Sequence, residues 1–226
     1  MNGDWKGGYQ IRAAENGRAQ LLIYGDIGES IFGDTTTARA LIADLQRITA
    51  EALDLRINSS GGSVPDALAI HNALRRFPGS VTVHIDGIAA SAASFIAAAG
   101  DEIRIAENGF IMVHGPHAMA RGTAQDMRDA ASMLDAATDA MASCYIRLVG
   151  ESRAAEIRSL LTDQRDHWFG AAEALDAGLV THVDEALPIA ASLDLSHYQS
   201  MPAAAAAYHR EVRPMAKTTA PRAGTQ

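Results

Sequence analysis

The chain has 226 residues, of which 48% are hydrophobic and 20% are charged, a length that supports one sizeable domain with its own core. Acidic side chains outnumber basic ones by 27 to 19 and give a net charge of −8, which argues against nucleic acid as a partner because phosphate binding needs clustered Lys and Arg. A single cysteine, Cys144, excludes an internal disulfide and a cysteine-rich zinc site.

The apolar segments argue against a membrane partner. The first twenty residues carry several charges and no apolar run of the secretory type. The most apolar stretch, Ile88 to Ala99, is interrupted by Ser91 and Ser94 and is too short to span a bilayer. We therefore expect a cytoplasmic protein.

The first predicted elements alternate between strand and helix. After nineteen weakly patterned residues, Gln20 to Tyr24 predicts a strand, and Asp34 to Thr37 supplies N-cap chemistry for a helix whose apolar side chains recur up to Ile48. Leu53 to Ile57 predicts a second strand, which the segment Asn58 to Ser63 ends.

Three further elements continue this alternation. Pro65 to Phe77 predicts a helix, because proline suits a first helical turn and apolar residues follow at helical spacing. Val81 to Ile85 predicts a strand that Gly87 stops, and Ile88 to Ala99 predicts a helix of small residues. Strands and helices that alternate over short connections indicate parallel βαβ units.

The next region contains a long helix. Glu102 to Ile105 and Phe110 to Val113 predict strands, and a helix follows at about Thr123 to Val149. Its apolar side chains recur at alternating steps of three and four residues, so they form a seam on one side of the helix that faces one partner surface. The seam residues are Met127, Ala130, Leu134, Ala137, Met141, Cys144 and Leu148.

The remaining pattern is short and then fades. Arg153 to Leu161 and Ala171 to Ala177 predict helices, and Leu179 to Val183 predicts a strand. After Pro188 we expect a mobile extension or a docking segment, which contains the alanine run Ala203 to Ala207. We therefore divide the chain into a short N-terminal segment 1–19, a domain 20–188 and a flexible tail 189–226.

Several polar residues sit where chemistry is possible, and each also has an ordinary structural explanation. The pair Gly61-Gly62 either presents N–H groups to a ligand or forms a plain turn. Ser91, at a strand-to-helix junction among small residues, is either a nucleophile or, like Ser94, a packing residue. His114 ends an apolar strand, and three other histidines compete with it for a catalytic role: His71, His84 and His117.

Two aspartates complete this set. Asp163 and Asp166 precede an alanine-rich helix, where either one orients a histidine or caps the helix. Serine, histidine and aspartate in this order, with a glycine pair able to supply an oxyanion N–H, are the groups of a serine peptidase. His114 and His117 have no acidic partner at ligand spacing, so the sequence predicts no metal and no cofactor.

Together these segments resemble the ClpP family of serine peptidases from about Leu21 to Val183. The segments INSSGGSV, GIAASAAS, FIMVHGP and RDHWFGAAEALDAGLV are similar to the family's glycine loop, nucleophile, histidine and aspartate segments. The resemblance implies an α/β fold, the ClpP/crotonase-like superhelix of repeated βαβ units. It also implies that Thr123 to Val149 is a protruding handle helix, which in the family packs rings face to face.

The resemblance also implies roles for single residues. Ser91 corresponds to the nucleophile and His114 to the general base. Asp166 corresponds to the orienting carboxylate because it stands seven residues before Glu173, as in the family, with Asp163 as the competing candidate. The backbone N–H groups of Gly62 and Ala92 correspond to the oxyanion hole. The implied substrate is a protein or peptide, and the implied assembly is a homo-oligomeric ring.

Some features depart from the family. Ser60 replaces the usual proline of the glycine loop, and Ala92-Ala93 replaces the usual Met-Gly after the nucleophile. About twenty residues precede the first strand, fewer than the family's axial loops need, so the sequence gives no support for an ATPase partner. These features resemble the ClpP-like head maturation proteases of tailed phages and prophages, which cut scaffold and capsid proteins in the host cytoplasm.

Three alternatives stay open at this point. The first is an ATP-dependent Clp protease proteolytic subunit, and the second is a non-catalytic ring scaffold, which would normally have lost a triad residue. The third is a crotonase-like acyl-CoA enzyme. Members of that superfamily typically place carboxylates over the substrate, whereas this chain has Ser91 and His114.

Overall fold

A computed structural model describes residues 8–13, 17–28, 35–186, 193, 195–198 and 200–208. The strands are β1 (Tyr9–Ala13), β2 (Arg18–Tyr24), β3 (Asp26–Ile27), β4 (Thr35–Thr36), β5 (Ala52–Ser59), β6 (Ser80–Ala90), β7 (Glu102–Ala106), β8 (Phe110–Val113), β9 (His167–Gly170) and β10 (His182–Asp184). The α-helices are α1 (Ala38–Leu45), α2 (Val64–Arg75), α3 (Ala92–Ala97), α4 (Ala124–Val149), α5 (Ala154–Thr162) and α6 (Ala171–Asp176). Short 3₁₀ helices cover Glu151–Arg153 and Ala205–Tyr208.

A mixed sheet forms the centre of the molecule. Its main path runs β1-β2-β5-β6-β7-β10, and every pairing along it is parallel except that of β1 with β2. The far end of β6 pairs in parallel with β8, and β8 pairs antiparallel with β9. Apolar side chains of the sheet and the helices share one large buried cluster. The predicted α/β fold is confirmed.

The boundary between β6 and α3 corrects the sequence prediction. Gly87 does not stop the strand, which continues to Ala90. A Cβ on Gly87 would lie 2.5 Å from the ring of Tyr208 and 2.7 Å from the Oδ1 of Asn58, so close packing explains this glycine. The small residues that follow pair with β8 before the helix begins at Ala92, because strand pairing overrides the helical preference of alanine.

Four strands were missed, namely β1, β9 and the two-residue strands β3 and β4, and the last strand was misplaced. β1 lies in the segment that seemed weakly patterned, yet Tyr9 is buried there and its hydroxyl donates to Asp44 at 2.8 Å. β9 directly follows Asp166 and pairs with β8. The last strand begins at His182 and not at Leu179. All of them are short, and β9 and β10 pair with strands far away in the sequence, whereas β1 forms a local antiparallel pair with β2.

The long helix α4 begins with a reciprocal cap. The side chain of Thr123 accepts from the N–H of Asp126, whose carboxylate accepts from the Thr123 N–H at 2.7 Å. The predicted single seam is divided in the structure. The later seam residues Met141 and Cys144 are buried in the chain's own core, while the early seam residue Met127 is 38% exposed. Met133, which lies beside the seam, is 62% exposed. Only the first half of α4 therefore offers free apolar surface.

The described residues of the tail pack against the sheet. Leu193, Leu195 and Tyr208 are buried in a second cluster with Ile88 and Met112. Of the two expectations for this region, these residues fit a docking segment, and the other residues of the tail lie outside the described part. Among the described residues, no helix combines the length and apolar character that crossing a bilayer requires.

Candidate active site

Ser91 occupies the single-residue link between β6 and α3. Its φ of 51° and ψ of −121° lie in a region that residues other than glycine rarely adopt. The backbone holds this turn, because the Ser91 N–H donates to the carbonyl of Met112 on β8 at 2.9 Å. The half-buried serine therefore sits at the edge of the sheet where both β6 and β8 end.

His114 reaches this serine because the two strands run in parallel. Ala90 is paired with Met112, so the residues that follow β6 and β8 emerge at the same edge. The Nε2 of His114 lies 2.7 Å from the Oγ of Ser91. This distance allows the serine hydroxyl to donate to a neutral imidazole.

Asp166 reaches His114 through the antiparallel ladder of β8 and β9. Val113 is opposite His167, so one further step places His114 opposite Asp166. The Nδ1 of His114 lies 2.9 Å from the Oδ1 of Asp166. The two side chains are only 11% and 12% exposed, so little water competes for this hydrogen bond.

The protonation of His114 follows from its burial. Burial lowers the pKa of His114 below its ordinary value, and the contact with Asp166 opposes this effect without cancelling it. The imidazole is therefore neutral near pH 7. The carboxylate of Asp166 accepts a hydrogen bond from the Nδ1 of His114, so the imidazole proton belongs on Nδ1. The lone pair of Nε2 is then directed at Ser91.

The glycine pair fits closely between β3 and the Ser91 turn. Gly61 and Gly62 have φ values of +98° and +139°, which favour glycine. A Cβ on Gly61 would lie 2.6 Å from the Ala90 oxygen and 2.9 Å from the Cβ of Ser91. A Cβ on Gly62 would lie 2.1 Å from the oxygen of Ile27. Both positions therefore lack room for a side chain.

Two backbone N–H groups are available beside Ser91. Ala92 is the first residue of α3, so its N–H has no partner within the helix. The N–H of Ile27 donates to the carbonyl of Gly61, and the carbonyl of Ile27 accepts from the N–H of Ser63, both at 2.8 Å. In such a parallel pairing the intervening N–H, that of Gly62, points to the opposite side of the loop.

Tyr198 was not singled out by the sequence, yet it contacts this site. Its ring meets the ring of His114 edge-on with the centroids 5.8 Å apart, and it meets Trp168 in the same way at 5.7 Å. Its hydroxyl donates to the carbonyl of Ser60 in the glycine loop. No local pattern predicts this contact, because it depends on how the tail docks.

A cavity of about 510 Å³ opens beside His114. Pro116, Leu134 and Leu161 give it apolar walls, and Asp166 and Tyr198 also line it. A pocket of this size can hold a side chain and the adjoining backbone of an extended peptide.

Each competing residue differs from Ser91, His114 and Asp166 in exposure, position or partner. His117 is exposed, with its ring centroid 5.4 Å from that of His114, while His84 lies in the middle of β6 and His71 is buried under α3. Asp163 binds the Nε2 of His167 at 2.9 Å. In the described part of the chain, no three His, Cys, Asp or Glu side chains are placed to hold a metal ion.

Comparison with known proteins gives a consistent result. A sequence model of the Clp protease family matches residues 17–186. The chain is 34% identical over 176 residues to ATP-dependent Clp protease proteolytic subunit 1 of Streptomyces avermitilis, which covers 75% of this chain and 79% of the relative. It is 33% identical over 157 residues to proteolytic subunit 2 of Corynebacterium glutamicum, covering 66% and 76%, and 29% identical over 170 residues to subunit 3 of Streptomyces coelicolor, covering 74% and 76%.

Proposed function

We propose that Ser91, His114 and Asp166 are the catalytic triad of this chain, which belongs to the Clp protease family and is a serine-type peptide hydrolase. One observation carries the proposal. An unbroken pair of hydrogen bonds, 2.7 Å and 2.9 Å long, runs from the Ser91 hydroxyl through both nitrogens of His114 to Asp166. A residue that only packed in an alanine-rich helix would not need this arrangement.

The proposed reaction proceeds in two halves. In the first, the Oγ of Ser91 attacks the scissile carbonyl while the Nε2 of His114 takes its proton. Asp166 stabilises the imidazolium, which then donates that proton to the leaving amine, so an acyl-serine and a free amine result. In the second half, His114 takes a proton from water, the resulting hydroxide attacks the acyl group, and the proton returns to Ser91.

The proposed oxyanion hole consists of the N–H groups of Gly62 and Ala92. The support is the position of the glycine loop, because Gly61 leaves no space for even a methyl group between the loop and the Ser91 turn. We infer that both N–H groups flank the serine, since each belongs to backbone that this packing holds in place. Donors that are held in place before the reaction stabilise the charge that develops on the carbonyl oxygen.

The proposed substrate is an unstructured protein segment or a peptide, and the proposed assembly is a homo-oligomeric ring. The half-apolar cavity beside His114 supports the first statement. The exposed methionines of the first half of α4, Met127 and Met133, support the second, because a symmetry mate would remove them from water.

The relatives favour one biological role over another. They are named ATP-dependent Clp protease proteolytic subunits, so we propose the role of a proteolytic subunit, which was the alternative in the sequence analysis. Phage head maturation stays a prediction that none of these relatives supports. Degradation of a folded substrate only when a Clp ATPase and ATP are added would support the subunit role. Capsid or scaffold cleavage without that stimulation would support head maturation.

The triad is tested by covalent labelling. A fluorophosphonate reacts with an activated serine, and peptide mapping then identifies the modified residue. We expect modification at Ser91, loss of both labelling and peptide cleavage in Ser91→Ala, and retained labelling in Ser152→Ala, whose side chain is exposed. Cleavage by pure Ser91→Ala protein would disprove the assignment. Absence of labelling in correctly folded wild type would favour a scaffold or an acyl-CoA enzyme.

A further inference from the structure

A buried hydroxyl pair lies directly behind Ser91. The Oγ of Ser94 donates to the carbonyl oxygen of Ser91 at 2.7 Å, and it lies 2.7 Å from the hydroxyl of Tyr145 on α4. Ser94 and Tyr145 are only 4% and 1% exposed. A serine hydroxyl has one proton, which here goes to Ser91, so the tyrosine is the donor to Ser94. The result is a relay from Tyr145 through Ser94 to the Ser91 carbonyl.

This carbonyl belongs to the same peptide unit as the N–H of Ala92. A peptide unit is planar and trans, so its C=O and N–H point in opposite directions. The Ser91 oxygen also accepts from the N–H groups of Ser94 at 3.0 Å and Phe95 at 3.4 Å. Every donor that fixes the Ser91 carbonyl therefore also fixes the direction in which the Ala92 N–H points.

We propose that Ser94 and Tyr145 are positioning residues that aim the Ala92 N–H at the oxyanion. This inference rests on the proposed function, in which that N–H is an oxyanion donor. The relay acts on the reaction only through the peptide unit between Ser91 and Ala92. Neither of the two hydroxyls contacts the substrate.

The local backbone makes such support necessary. Ser91 is held at a φ of 51°, which a serine leaves unless its surroundings fix it. The helix α3 has only six residues and provides few hydrogen bonds of its own. The supporting tyrosine comes from α4, near the end that is buried in the core. The turn is therefore supported from outside α3.

A second chain of hydrogen bonds also runs from α4 to α3. Arg147 donates to the Nε2 of His71 at 2.9 Å, and the Nδ1 of His71 donates to the carbonyl of Phe95 at 3.0 Å. Burial lowers the pKa of His71, which is consistent with the neutral ring that this arrangement needs. Its ring stacks on Phe95 with the centroids 4.9 Å apart. Tyr145 thus acts on an α3 that is already anchored, and its hydroxyl adds the link to Ser91.

The test is the kinetics of Tyr145→Phe, which removes only the hydroxyl. Deleting an oxyanion donor outright costs about 10²- to 10³-fold in kcat, so misdirecting one should cost less, about tenfold. We expect KM to change by less than about twofold, because the ground-state carbonyl depends little on this N–H. Affinity for a peptide boronate, whose tetrahedral adduct places an oxygen in the oxyanion hole, should fall by the same factor as kcat.

A matched control separates positioning from simple stability. Tyr9 is as buried as Tyr145, at 1%, and its hydroxyl also makes a hydrogen bond, to Asp44. Tyr9→Phe should lower the melting temperature but leave kcat and boronate affinity unchanged. Ser94→Ala breaks the same relay from the other end and should match Tyr145→Phe. The double variant should lose about tenfold and not about a hundredfold, because both changes remove one link.

The possible results are distinct. If Tyr145→Phe and Ser94→Ala lower the melting temperature while kcat stays within about twofold of wild type, the pair is only structural and the inference is wrong. If Tyr145→Phe does not fold, Ser94→Ala alone decides between these results. An active Ser91→Ala variant would instead overturn the proposed triad, and it would do so whatever the relay variants show.

Discussion

A substitution at Gly61 distinguishes the effect of backbone strain from the effect of contact with Ser91. In Gly61→Ala the new methyl group meets the Ala90 oxygen at 2.6 Å, the Ser91 Cβ at 2.9 Å and the Ala92 nitrogen at 3.0 Å. Gly17 also has a left-handed φ, +76°, but a methyl group there meets nothing within 4 Å. The two substitutions share the conformational penalty, and only Gly61→Ala pushes against Ser91.

The magnitudes follow from these distances. A left-handed φ costs a residue other than glycine about 1–2 kcal/mol, so Gly17→Ala should lose that much. An ordinary carbon–oxygen contact is about 3.3 Å, so the loop and the Ser91 turn must separate by about 0.7 Å in Gly61→Ala. Overpacking of this kind costs about 1–3 kcal/mol more, for a total of about 2–5 kcal/mol. Since a displacement of about 1 Å costs about 10²-fold in rate, kcat should fall between tenfold and a hundredfold.

Two measurements check this prediction. Urea unfolding gives the loss of stability for each variant. Hydrolysis of a short fluorogenic peptide, measured under conditions in which both variants are folded, gives kcat. We expect Gly17→Ala to retain wild-type kcat. Equal stability losses together with equal kcat in the two variants would refute the claim that the tight packing of the glycine loop against Ser91 matters for the reaction.

Three further predictions concern the aspartates, the pH dependence and the assembly. Asp166→Asn should lower kcat by about 10⁴-fold, whereas Asp163→Asn, whose carboxylate binds His167, should stay near wild type in the same peptide assay; equal losses would contradict the proposed orientation of His114. The pH profile of kcat/KM should fall on the acid side below about pH 6.5, the ordinary pKa of histidine, because burial lowers the pKa of His114 and its protonated form cannot act as a base; a midpoint above 6.5 would be inconsistent with this cause. Because the pKa of His114 is lowered in the folded chain, the unfolded chain binds a proton at this histidine first. The free energy of unfolding should therefore also decrease as the pH falls below about 6.5. In light scattering, Met127→Glu with Met133→Glu should reduce the particle mass, while Met119→Glu, an exposed methionine outside α4, should not; an unchanged mass in the double variant would exclude α4 as the contact.

The helices were predictable because their signals are local. Thr37 and Thr123 each accept from an N–H three residues further on. The helix α1 begins directly after the segment whose N-cap chemistry was predicted, and α4 begins close to its predicted start at Thr123. The seam of α4 was read correctly as apolar, but its division was not. Spacing does not reveal which part of a stripe meets the chain's own core, as Met141 does, and which part stays exposed, as Met127 does.

Two of the errors fall where pairing between separate segments decides the structure. Residues 88–90 have the composition of a helix, yet β8 provides a strand partner and they extend β6. β9 is only four residues long and is stabilised by its antiparallel pairing with β8. That missed ladder is also what sets Asp166 opposite His114, so the sequence pointed to this aspartate through its spacing from Glu173 and not through its geometry.

The site could be predicted only as far as its residues stand in recognisable segments. Ser91, His114 and Asp166 each end or precede a regular element, and the structure brings these three side chains together. Tyr198 had no such signal, because its position depends on Leu195 and Tyr208 being buried against the sheet. Contacts that a docked tail makes have no local pattern in the sequence.

The docking of Tyr198 matters for anyone who shortens or labels this protein. The sequence pattern fades after Pro188, which makes that point attractive for trimming the chain before crystallisation. Such a truncation would remove the ring that lies against His114 and the hydroxyl that binds the Ser60 carbonyl. Rates measured on a trimmed version would therefore describe a site that has lost one of its aromatic walls.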